Sequence, residues 1–214
     1  MNWKNHLYGD KENPGLLKQL SQGLGILKKI RHLMPENKFR NIAASIFTSK
    51  LIYCITVWGG VWGLSNSPKC NYTTISKEDM RKLQVLQNKL MRLESGLDYE
   101  TPTKTLLEHC NYLSVHQLVA YHSGLQISKI VASHQPKYHF NRLQNINTRE
   151  SRATLDNRTF IDFKLSTGRS SFFYQASRIW NLIPEDIKSI EKMLSFKKAL
   201  KKWVLQRISI KPQA

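Results

Sequence analysis

A chain of 214 residues with 33 Lys+Arg against 15 Asp+Glu has a formal charge of +18 and a pI near 10.0. Its hydrophobic share of 41% and aromatic share of 10% belong to a chain that builds a core, which excludes a disordered polycation. A positive excess of this size predicts a polyanionic partner, nucleic acid ahead of an acidic membrane surface.

Cys54, Cys70 and Cys110 lie at long, unequal spacings that make neither a disulfide framework nor a zinc ribbon. The expected compartment is therefore a reducing one, nuclear or cytoplasmic, with no secretion. The opening MNWKNHLYGDKENP lacks the apolar core of a secretory signal. With nothing before Trp3 and His6 for them to pack on, it reads as a chain that starts in the middle of something larger. The longest charge-free apolar run, Leu51 to Leu64, has 14 residues. A membrane span needs about 20, so this run reads as the end of a buried helix.

In chain order, the first helix is expected from Pro14 to about Leu33, with Leu16, Leu20, Leu24, Leu27, Ile30 and Met34 on one stripe and Lys18, Gln22 and Lys29 opposite. Gly23 and Gly25 each cost about 1 kcal/mol of helix stability relative to alanine, and close approach by another backbone is a use for them. A second helix is expected from Glu36 to Trp58, its apolar face formed by Phe39, Ile42, Ala43, Ile46, Tyr53, Cys54 and Val57, with Lys50 projecting from the middle of that face. Such a lysine either snorkels or aims its ammonium at a phosphate. A turn-rich linker spans Gly63 to Thr74. Ser76 and Asp79 then form a capping box opening a helix that ends near Gly96. A short helix around Lys104 to Glu108 follows. Ser114 and Gln117 cap a helix through Val131 that is apolar nearly all round and therefore central.

Beyond Pro136 the composition changes. Residues 135–214 hold 16 of the Lys+Arg against 6 acids. Arg142, Arg149, Arg152 and Arg158 mark a polar stretch, and TFIDFKL (Thr159 to Leu165) alternates as a half-buried strand does, before a turn and Arg169. A helix from Phe172 should stop near Leu182, because the residue before Pro184 is pushed out of the α region. Pro184 suits the first position of the next helix, and Glu185 and Asp186 favour its positive end. The last helix, SFKKALKKWVLQR, turns Phe196, Ala199, Leu200 and Trp203 inward and gathers Lys197, Lys198, Lys201 and Lys202 outward. The expected class is mainly α: a helical region over residues 1–134 and a small, basic C-terminal segment over 135–214 with a short strand or hairpin and terminal helices.

Catalytic signatures are missing from the sequence. His116 and His122 stand six residues apart, about 120° around a helix, so they cannot share one ion. There is no Gly-x-Ser-x-Gly, P-loop, His-Glu-x-x-His or dinucleotide fingerprint. Two-metal phosphoryl chemistry needs clustered acids. The only adjacent acidic pairs, Glu78-Asp79 and Glu185-Asp186, are helix-start residues, and no Asp-Asp pair occurs. The residues alone predict no enzyme, cofactor, metal or small-molecule substrate, and no membrane. The lysines at 18, 29, 50, 197, 198, 201 and 202 and the arginines at 142, 149, 152, 158 and 169 are the candidate phosphate contacts. Phe172, Phe173 and Tyr174 are either base-stacking residues or core.

WKNHL (Trp3 to Leu7), LIYCITVWG (Leu51 to Gly59), LQVLQNKLMR, TPTKTLLEHCNYLSVHQLVAYH, KIVASHQPKY, and WNLIPEDIK followed by SFKKALKKWV stand in this order along the chain. Together they resemble the thumb and post-thumb region of the reverse transcriptase of non-LTR (LINE-type, jockey-like) retrotransposons. In that family fingers and palm precede this region and carry a Tyr/Phe-Ala-Asp-Asp motif, which this sequence lacks. The resemblance therefore implies no catalytic residue. It implies a truncated remnant of an RNA-directed DNA polymerase that keeps a thumb's affinity for RNA or an RNA–DNA duplex. The wide apolar faces that a missing palm leaves uncovered make self-association a further expectation. The competing reading is a structural or protein-interaction helical module whose charge is incidental.

Overall fold

The structure, a computed structural model, describes residues 3–10, 14–59, 75–144 and 172–207. The chain is mainly helical, and the extended pairing among the described residues is a single bridge between Gly9 and Pro14. The alternating segment Thr159 to Leu165, the linker Gly63 to Thr74 and Cys70 lie outside the described residues. Two compact units are present, one built from residues up to 58 and 75–118, the other from 59, 119–144 and 172–207. The compositional boundary at 134/135 marks a rise in charge.

The first unit begins with α1 (Trp3–Tyr8), a short helix. It packs on later parts of the chain: Leu7 is fully buried, and the His6 ring lies 6.1 Å from that of Trp58. Next comes α2 (Leu16–Ile30), tightened at its end into a 3₁₀ turn, Arg31–Leu33. Leu16, Leu20 and Leu27 are buried as the spacing predicts, and Lys18, Gln22 and Lys29 are exposed. Gly23 joins the buried side because a Cβ there would stand 3.1 Å from the Ile46 side chain.

The second expected helix is not continuous. It runs as α3 (Glu36–Ala43), a π-helical turn (Ala44–Thr48) and α4 (Ser49–Ile52), then breaks at Tyr53 and Cys54 before α5 (Ile55–Trp58). Cys54 sits in the left-handed region (φ 51), and the Trp58 indole donates to the freed Tyr53 carbonyl at 2.8 Å. The buried line is Phe39, Ala43, Phe47, Leu51, Ile55 and Trp58, whereas Tyr53, Cys54 and Val57 are exposed. A four-residue step drifts by about 40° per repeat on an α-helix. The wider π turn takes back part of that drift and keeps the line on one face. By length and composition Glu36–Trp58 is long and apolar enough to cross a membrane. Its break, its buried line and its exposed Lys38, Arg40 and Lys50 are the features of an amphipathic helix lying on a core.

The helix α6 (Lys77–Ser95) is framed as expected. The Ser76 side chain accepts from the Asp79 N–H at 3.1 Å, and Gly96 closes the other end in the left-handed region (φ 70), its N–H on the Arg92 carbonyl. Along its inner side runs a polar row. The Gln84 amide donates to Gln87 and Asn88, both at 2.9 Å, while Gln87 donates to the Leu113 carbonyl and Asn88 to Thr103. The Val115 N–H returns to the Gln84 oxygen at 3.0 Å. The row ties α6 to α7 (Thr103–Cys110) and to the start of α8 (Val115–Ser133). There Ser114 and Gln117 make the reciprocal cap read from the sequence.

The second unit contains the rest of α8, then α9 (Lys137–Gln144), α10 (Phe172–Leu182), α11 (Glu185–Lys188) and α12 (Met193–Arg207). The helix α9 falls where the sequence predicted no element. The proline corner forms as expected, with α10 ending at Leu182, except that Pro184 takes the cap position and Glu185 opens the helix. Ile183 in the corner is buried, and so are Ala176, Ile179 and Trp180 on α10 and Phe196, Leu200, Trp203 and Val204 on α12. A Cβ on Gly124 of α8 would stand 3.1 Å from Leu200 and 3.5 Å from Ile183, so all three elements meet at that glycine. Gly124→Val should therefore overpack this junction and lower unfolding stability by about 1–3 kcal/mol in chemical denaturation. An unchanged midpoint would show that α8 does not pack there.

Candidate nucleic-acid interface

Among the described residues six acidic side chains are held inside a unit or beside a cation of their own helix, while Asp98, Glu100 and Glu191 are exposed. Glu36 pairs with Arg40, Glu78 with Arg81, Glu108 with Lys104 and Glu185 with Lys188, all three or four residues apart. Asp79 accepts from Ser76 and from Tyr8, whose hydroxyl in turn accepts from Lys82 at 3.0 Å.

Glu94 is the buried acid of the first unit, its side chain 0% exposed. One carboxylate oxygen accepts from the Tyr112 hydroxyl at 3.0 Å, and the other lies 3.9 Å from the Arg40 guanidinium. Arg31 caps the same end of α6, donating to the Leu93 and Glu94 carbonyls while stacking over Phe39. Burial pushes the Glu94 carboxyl above its ordinary value of 4.5, against the Tyr112 hydrogen bond and the Arg40 and Arg31 charges, with Glu36 adding to the rise. Burial and the nearby Glu94 also push up the Tyr112 hydroxyl and the Cys110 thiol.

A raised folded-state pKa means that the folded chain holds this proton more tightly than the unfolded chain does. The Glu94 contribution is thus favourable in acid and is lost as pH climbs from about 4.5 through the raised value. Glu94→Gln should gain stability relative to the wild type between pH 4 and pH 7 in urea titrations. A variant that loses ground over that range would show the ionised pair with Arg40 to be net favourable. Tyr112→Phe removes the donor and should cost about 1–3 kcal/mol at neutral pH.

With those acids so engaged, two helices present cations that make no ion pair among the described residues. On α2 these are Lys18, Lys28 and Lys29, all exposed, on a helix without an acid. On α12 these are the exposed Lys198 and Lys202 and the half-buried Lys197. Lys201 on the same helix is half-buried, and burial lowers its pKa. At 100° per residue the four α12 lysines cover an arc of roughly 140°, turned away from Phe196, Leu200 and Trp203. Leu194, 75% exposed, and Leu205 lie within that arc.

Lys50 is exposed on α4, beside the buried Leu51 and not in the middle of the inward face. Its expected position assumed an unbroken α-helix through Cys54. Arg142 lies on α9, and Arg149, Arg152, Arg158 and Arg169 lie outside the described residues. Phe172 is half-buried on α10. Lys28 was missed by sequence reasoning, although the α2 spacing already put it off the leucine stripe. Among the described residues no three His, Cys, Asp or Glu side chains are grouped to hold a metal ion. Burial lowers the pKa of both His116 and His122, with Lys129 adding to the effect at His122. No family model, curated protein or solved structure matches the chain.

Proposed function

We propose that this chain is the thumb-like and post-thumb region of a non-LTR reverse transcriptase, inactive as a polymerase by itself, and that it binds RNA or an RNA–DNA duplex with little sequence preference. The observation that carries the reading is the set of exposed lysines that make no ion pair among the described residues, Lys18, Lys28 and Lys29 on α2 and Lys198 and Lys202 on α12, in a chain of net charge +18. Supporting it are the ordered strings of the sequence and the lack of an Asp-Asp pair to hold catalytic metal.

The physics of such binding is counterion release. Each lysine that neutralises a phosphate frees condensed cations, so affinity falls with salt. About five contacts would give a log–log slope near −4.5 on duplex. Replacing Lys197, Lys198, Lys201 and Lys202 together by Gln should flatten the slope on an RNA–DNA duplex by about two to four. An unchanged slope would remove α12 from the interface, and wild-type affinity independent of salt would end the proposal.

A second reading, a protein-interaction module, is favoured by Leu194 and Leu205 amid the α12 lysines and by Tyr53, 67% exposed. A protein partner retained in excess heparin would support it; release by heparin would support nucleic acid.

A further inference from the structure

We infer that the outward strip of α2, Lys18–Gln22–Gly25–Lys29, is a seat for a nucleic-acid sugar–phosphate backbone, with Gly25 the point of closest approach. The inference rests on the nucleic-acid reading above and gives it a second contact face.

Gly25 is the anomaly that points there. It sits mid-helix, where glycine is unfavourable relative to alanine. Gly23, two residues earlier, has a reason inside the fold: a Cβ there would press on Ile46 at 3.1 Å. At Gly25 a Cβ would meet no atom of the described residues within 4 Å. The described fold gives no use for this glycine.

Its surroundings suggest an external one. Lys18, Gln22, Gly25 and Lys29 share one exposed side of α2, opposite Leu16, Leu20 and Leu27. Lys18 and Lys29 are eleven residues apart, about 16 Å along the axis. That distance equals roughly five steps of 3.4 Å measured along the axis of a B-form duplex. Between the two ammonium groups the strip offers an amide and then a bare stretch of helix. A phosphate chain drawn in by the end charges would rest there without meeting a side chain. A protein helix would instead want an apolar seam at this point. Ile26, exposed at the edge of the strip, is the single apolar side chain beside it.

Gly25→Ala separates the two roles because its effects on folding and on binding have opposite signs. The variant should melt about 2–4 °C higher than the wild type. It should also bind a labelled RNA–DNA duplex about fivefold more weakly, with a shallower salt slope, as Lys18→Gln/Lys29→Gln does. A higher melting point with wild-type duplex affinity, while the α12 substitutions still weaken binding, overturns the seat and leaves the nucleic-acid reading standing. Wild-type protein that fails to bind the duplex at low salt overturns both. Unchanged duplex binding with loss of self-association in light scattering assigns the strip to a second copy and likewise overturns the inference.

Discussion

Fifteen acids cannot neutralise 33 cations, and among the described residues six of those acids are committed to partners of their own unit. The ion pairs described above join residues three or four apart on one helix, except where Arg40 also approaches the buried Glu94. Exposed pairs of this kind add little stability. Among the described residues these pairs leave Lys18, Lys28, Lys29, Lys198 and Lys202 without an acid partner. Those lysines must stand in water on outward faces, where their mutual repulsion is screened. A polyanion laid on them would relieve that repulsion, and the functional account follows from this surplus.

Inside the first unit, specificity comes from polar groups rather than from oil alone. Gln84, Gln87 and Asn88 give α6 partners on α7 and on the chain entering α8, with matched donors and acceptors that a slipped register would break. At the other end of α6, Arg31 satisfies the carbonyls left free by the last turn, and Glu94 holds Tyr112. The second unit relies on close packing, with Gly124 admitting Leu200 and Ile183.

Local chemistry was legible in the sequence. The Ser76 and Ser114 caps, the Gly96 stop, the end of α10 at Leu182 and the lysine sides of α2 and α12 each depend on residues within a turn or two of one another. What depended on distant partners was not. The six residues of α1 are too few to show a period, and their helix is held by the burial of Leu7. The break at Tyr53 is stabilised by an indole five residues later, so a strict 100° step misplaced Lys50 and turned Tyr53 and Val57 inward. Gln87 and Glu94 carry polar names at inward positions, and periodicity has no rule for a polar group whose partner, here Leu113 or Tyr112, comes from a distant segment. The open space at Gly25 is likewise invisible without neighbours to measure it against.

The central claim is that the exposed lysines of α2 and α12 touch nucleic acid. Lysine acetylation read by mass spectrometry, with and without a saturating RNA–DNA duplex, tests it at each position at once. The account predicts protection of Lys18, Lys29, Lys198 and Lys202, with Lys104, paired to Glu108 on its own helix, unaffected. Equal labelling of these five lysines in both samples would contradict it.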